Sequence, residues 1–258
     1  MTDLDQAHAA MEAAPDDDVK RLQFYERLAD TELFMLLGAE ADGDKITPEL
    51  FDIEGEQFAL IFDREDRLTQ FVGREAPYAG LSGRVLCDML VRQNIGFALN
   101  LDVAPSAMLI PAEAVDWLHA TLDNIPKESE AQLSEVSAPH GLPEEVITGL
   151  DRKLAIAAGL AQTAYLAAAT YQDGAKGHVL AFIDAVPGAQ DSLAKAAGEA
   201  LTFSGIEAGT MDVLFARNDD QLAAHLEKVG LRFDLPPLHD PQQPSAPGMD
   251  PDKPPILG

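Results

Sequence analysis

The chain has 258 residues, 47% of them apolar, which is enough for one large domain or two of ordinary size with real cores. Eighteen basic residues stand against 44 acidic ones, a formal net charge of −26, and a surface of that sign repels phosphate backbones and anionic lipids. Nucleic-acid and membrane-surface binding are therefore not expected, and the single cysteine, Cys87, forms no internal disulfide and suits a reducing cytoplasm.

The opening residues, MTDLDQAHAAMEAAPDDD, carry neither the basic nor the apolar region of a signal peptide. Helical spacing runs over 3–13 and 17–29, where Leu22, Tyr25 and Leu28 recur on one face. ELFMLLG reads as a buried strand ended by Gly38, and LFDIEGEQFALIFD as a hairpin turning at Glu54-Gly55. Asp63 is placed to cap a short helix through Gly73, with Leu68, Phe71 and Val72 on its inner side. LSGRVLCDMLVRQN predicts a helix capped by Ser82, with Val85, Leu86, Met89 and Leu90 facing inward. A strand over 95–101 follows, and Pro111 suits the first turn of a helix through Leu122.

Residues 123–142 fill with Ser, Glu and Pro and read as a linker. PEEVITGLDRKLAIAAGL opens a second unit with a helix. LAIAAGLAQTAYLAAATY approaches membrane-spanning length, but it is rich in alanine and interrupted by Gly159, Gln162 and Thr163. It is expected to be a helix end running into a buried strand. TAYLAAATYQDGAKGHVLAFID gives the clearest hairpin signal, followed by a helix over about 189–201, a strand MDVLFA, and a helix capped by Asn218 or Asp219 and stopped by Gly230. The proline-rich residues 236–258 are expected to form an extended tail. The order of helices and strands lacks regular crossovers, so the expected class is α+β: two α+β domains, 1–122 and 143–235, each a small, mostly antiparallel or mixed sheet with packed helices.

Catalytic motifs are sparse. His8, His119, His140, His178, His225 and His239 show no metal-binding spacing, so no metal or cofactor is expected. Cys87 sits mid-helix beside Leu86 and Leu90, the setting of a small buried hydrophobe. Gly80 to Val85, GLSGRV, has glycines at a helix start with Arg84 in the first turn, but ordinary capping by Ser82 accounts for it. The one stretch that draws attention is NLDVAPSAMLIPAEAVDWL, where Asn100, Asp102, Pro105 and Ser106 cluster between apolar segments. These residue types close turns, and the cluster is the candidate interaction surface.

Three segments carry a family resemblance: the first helices through FMLL, EGEQFALIFDREDRLTQF with its strand breaking into a small helix, and the glycine-containing strand GFALN before the closing helix. They resemble the N-terminal domain of the SseB family. Residues 144–235, with the hairpin around Gly174 and the closing MDVLFARNDDQLAAHLEKVG, are similar to that family's C-terminal domain. The resemblance implies a soluble bacterial cytoplasmic protein without enzymatic activity or cofactor, from a family whose enteric member is linked to serine sensitivity.

The expected function is a non-catalytic interaction or regulatory protein whose protein partner is not identified, with assembly from identical copies left open. The competing expectation is a small-ligand binder or enzyme with a loop-built site at the domain junction, drawing on Asn100, Asp102, Arg84 and His178.

Overall fold

The computed structural model describes residues 1–40, 46–123, 133–206 and 211–235. It is an α+β protein built on two separate sheets. The first unit runs α1 (Asp3–Ala13), α2 (Asp18–Asp30), β1 (Glu32–Leu36), β2 (Leu50–Ile53), β3 (Glu56–Phe62), α3 (Glu65–Val72), β4 (Tyr78–Ser82), α4 (Gly83–Leu90), β5 (Ile95–Leu99), β6 (Met108–Ile110) and α5 (Ala112–Leu122). Its sheet has the order β4-β1-β3-β5-β6, with β2 also on β3, and only β3 and β5 run parallel.

The period-two alternation of these strands gives the sheet two apolar faces. Leu33, Met35, Ala59, Ile61, Phe97 and Leu99 point toward α1, α2, α4 and α5, where Phe24, Leu28, Leu86 and Leu118 fill the space. Leu36, Phe58, Leu60 and Phe62 point the other way, toward Leu68 and Phe71 of α3 and toward Leu101 and Val103. The β2–β3 hairpin turns at Glu54 and Gly55, with φ of 55° and 91°, the left-handed pair that a two-residue turn demands.

The second unit runs β7 (Leu133–Ser137), α6 (Glu144–Ile156), β8 (Thr163–Tyr171), β9 (Lys176–Ile183), α7 (Gln190–Phe203), β10 (Met211–Ala216), α8 (Gln221–Val229) and β11 (Leu231–Asp234). Its sheet is ordered β10-β9-β8-β11, with β7 beside the far end of β8, and only β9 and β10 run parallel. Helices α6 and α7 bury one face and α8 the other. This double cover explains why β8 reads as an unbroken apolar run rather than an alternating one. Among the described residues no helix is long and apolar enough to cross a membrane.

Several expectations need correction. Residues 133–137, inside the segment read as linker, form β7 and pair antiparallel with β8; Val136 alone is buried there, and one buried residue in five gives too weak a pattern to read. Asp63 does not cap α3: the cap position is Arg64, without a side-chain bond, because the Asp63 carboxylate is engaged elsewhere. Neither Asn218 nor Asp219 caps α8, whose cap position is Asp220; Asp219 instead pairs with Arg217. Val85 faces outward while Leu86 and Leu90 are buried. The residues expected to form the tail lie outside the described part.

The two units meet along α2 and α4 on one side and α6 and α7 on the other. Phe203, the last residue of α7, is buried in the apolar cluster of the first unit. Lys153 of α6 lies 5.7 Å above its ring.

Candidate functional site: a buried network, an ionic seam and an open cleft

Asn100 follows β5 with a left-handed φ of 49° and is fully buried. A buried amide needs partners on both its oxygen and its nitrogen. Its Oδ1 accepts the Asp63 N–H at 3.1 Å, and its Nδ2 donates to Ser106 Oγ at 2.9 Å. Ser106 Oγ in turn donates to Asp5 Oδ1 at 2.6 Å. The Arg67 guanidinium bridges the two acids, reaching Asp5 Oδ2 at 2.6 Å and Asp63 Oδ1 at 2.7 Å. Thr2 closes the ring: its Oγ1 donates to Asp63 Oδ2 at 2.6 Å and its N–H to Asp5 Oδ2 at 2.9 Å.

This network ties α1, α3 and the 100–106 loop into one piece. Burial opposes ionisation of Asp5, yet the bonds from Arg67, Ser106 and Thr2 outweigh it and hold the carboxyl well below the usual carboxylate range. The expected interaction surface is thus split. Asn100 and Ser106 are sealed inside the network and touch no solvent, whereas Asp102 and Pro105 are exposed. Asn100 and Asp102 take left-handed turn conformations, but the Asn100 and Ser106 side chains bond Asp63 and Asp5, far away in sequence, and form an internal brace. Asp5, Arg67 and Thr2 were missed, although Thr2-x-x-Asp5 has the spacing of a capping box and Asp63 precedes Arg67 by four residues on a helix edge.

A second cluster joins the two units. Glu26 and Asp30 of α2 face Arg152 and Lys153 of α6, and Arg84 of α4 faces Glu199 of α7. Arg84 reaches Glu199 Oε1 at 2.7 Å and Asp30 Oδ1 at 2.8 Å. Lys153 Nζ lies 2.5 Å from Asp30, 3.0 Å from Glu199 and 3.6 Å from Glu26, with its side chain 4% exposed. Burial works against Glu199, but the Arg84 hydrogen bonds and the Lys153 charge hold it below the ordinary range. Burial dominates at Glu26 and pushes it up, against the charges of Lys153 and Arg152. One of its oxygens, Oε1, has no hydrogen-bond partner. Gly83 brings α4 onto α2 here, since a Cβ on it would sit 2.0 Å from the Leu28 carbonyl oxygen. The GLSGRV segment is therefore a packing contact, with Ser82 Oγ accepting the Val85 N–H as expected.

Among the described residues, one cavity belongs to the second unit alone. It is an open cleft of about 620 Å³ at the hairpin end of the second sheet. Pairing aligns Glu135, Thr170 and Lys176 in one row, and Ser137, Ala168, His178 and Met211 in the next. His178 Nε2 donates to the His140 carbonyl oxygen at 2.9 Å, folding the 138–140 loop over the sheet. Tyr171 donates its hydroxyl to Asp212, and burial together with that carboxylate pushes the phenol up. His178 thus lines a cavity, but Arg84, Asn100 and Asp102 do not share it, so no site combining these four exists at the junction. Cys87 is fully buried, and burial pushes its thiol up to about 12.

No curated protein and no solved structure matches the chain. Residues 4–117, which span the first sheet and its helices from α1 into α5, match the family model described as the SseB protein N-terminal domain. The chain is thus similar to the SseB family over its first unit, the match ending within α5.

Proposed function

We propose that the chain is a non-catalytic bacterial interaction or regulatory protein of the SseB type, working in the cytoplasm, with residues 143–235 as the family's C-terminal domain. The observation that carries this reading is how the fold spends its reactive groups. Among the described residues every buried carboxylate is bound to a cation of the same chain: Asp5 and Asp63 to Arg67, Glu26 to Arg152, Glu199 to Arg84 and Lys153. Groups neutralised in pairs brace a structure and are poorly placed to exchange protons with a substrate. What is left for function is surface. Leu50 and Phe51 of β2 are 39% and 50% exposed, and large apolar side chains on an outer strand invite a partner. The charge of −26 favours a partner with basic flanks around that contact.

The test is capture from native lysate at physiological salt, with Phe51→Glu as control. A retained protein that excess free chain displaces, and that the variant loses, supports the reading. Turnover of a metabolite by the purified chain, with no protein retained, overturns it.

The 620 Å³ cleft favours a second reading, binding of a small polar ligand between Lys176, His178 and Glu135. A ligand at 100 times its Kd adds about 2.7 kcal/mol, readily visible as a thermal shift. The shift should disappear in His178→Ala, and persistence there would remove the cleft from consideration.

A further inference from the structure

A second, smaller hollow of about 300 Å³ lies where α1 and α2 of the first unit meet α6 of the second. Its lining has a charge opposite to that of the chain. Lys20, Arg27 and Arg152 converge on it, with Asp3 as the one carboxylate. Three of only 18 basic residues, in a chain carrying 44 acidic ones, thus meet in one depression. Lys20 and Arg27 lie seven residues apart on one face of α2, with Gln23 between them. Opposite, Ala7 and Ala10 of α1 keep the hollow open because their side chains are short, and Gln6 adds an amide.

The cations are also available. Among the described residues Arg27 has no ion-pair partner, and Lys20 Nζ bonds only the neutral Gln23 Oε1 at 3.4 Å. Arg152 uses one nitrogen for Glu26, at 3.1 Å, which leaves the rest of its five-donor fork free. We propose that this hollow is a binding site for a small oxyanion carrying two or more negative charges, seated between Lys20, Arg27 and Arg152. A fork and a point charge at close range match phosphate and carboxylate oxygens. The net charge of the chain keeps long polyanions away, and the volume admits only a small molecule. Because Arg152 belongs to the second unit and the other two cations to the first, the bound anion would fasten the units together.

The experiment is calorimetric titration of the full chain with pyrophosphate and, separately, with citrate, which distinguishes phosphate from carboxylate chemistry. One saturable site with a Kd of about 1 mM or tighter is expected for at least one of them. Arg27→Gln and Lys20→Gln should each weaken it about tenfold or more while the melting temperature without ligand stays put. Lys195→Gln, which removes a cation outside the hollow, should leave affinity unchanged. Absence of saturable binding of both anions, or binding that neither α2 variant weakens, would overturn the assignment.

Discussion

Replacing Lys153 by Met tests the ionic seam directly. The native cluster balances three cations, Arg84, Arg152 and Lys153, against three carboxylates, Glu26, Asp30 and Glu199. Methionine fills much of the lysine's volume, so packing changes little, but the cluster is left with one uncompensated negative charge. Removing one partner from a buried ionic cluster costs about 3–5 kcal/mol. For a chain of this size that corresponds to a melting temperature lower by about 6–20 °C. The pH dependence has a definite sign. Glu199 is depressed in the folded state, so its contribution is present above the ordinary carboxylate value of about 4.3 and fades as pH falls through the folded value. The Lys153→Met deficit should therefore be largest near neutrality and shrink below about pH 4, where carboxylates take up protons. Urea unfolding followed by circular dichroism across pH measures both. The double variant Lys153→Met with Glu199→Leu, which restores the balance, should recover part of the loss. A single variant within about 0.5 kcal/mol of the parent, or a double variant whose losses simply add, would refute the account.

Asn100→Ala removes two buried hydrogen bonds and leaves a left-handed alanine, so chemical denaturation should show a loss of about 3 kcal/mol. Gly83→Ala drives a methyl group into the Leu28 carbonyl, and a loss of about 3 kcal/mol or more is expected; normal stability would mean that α4 shifts freely off α2. Cys87 should resist alkylation in the native protein at about pH 8 and react promptly once the chain is unfolded, as read by mass spectrometry.

The elements with strong local periodicity were legible from sequence. Helices α1 and α2, the β2–β3 hairpin and the β8–β9 hairpin announce themselves through spacing and turn residues. Strand β7 did not, because LSEVS has a single buried residue and gains its structure from pairing with β8 and packing against α8. The cluster around Asn100 was legible as residues worth attention and illegible as an arrangement. Its partners Thr2, Asp5, Asp63 and Arg67 come from positions up to 101 residues away, and only the tertiary fold brings them within bonding distance. The seam was hidden for the same reason: Arg84 meets Glu199 across 115 residues of chain. The GLSGRV stretch carried the glycine and arginine that matter there, but the glycine serves helix contact and the arginine an ion pair.

Phe203 has a consequence in time. The first unit's strands and helices are all translated by Leu122, but its apolar cluster lacks a ring that lies about 80 residues further along the chain. At ribosomal rates of about 5–20 residues per second, roughly 4–16 s pass between the synthesis of Leu122 and that of the ring. Until α7 is made, the apolar side chains that pack on Phe203 in the finished protein lack that partner. The chain therefore matures in an order opposite to its apparent modularity: the half that emerges first is finished by the half that emerges last.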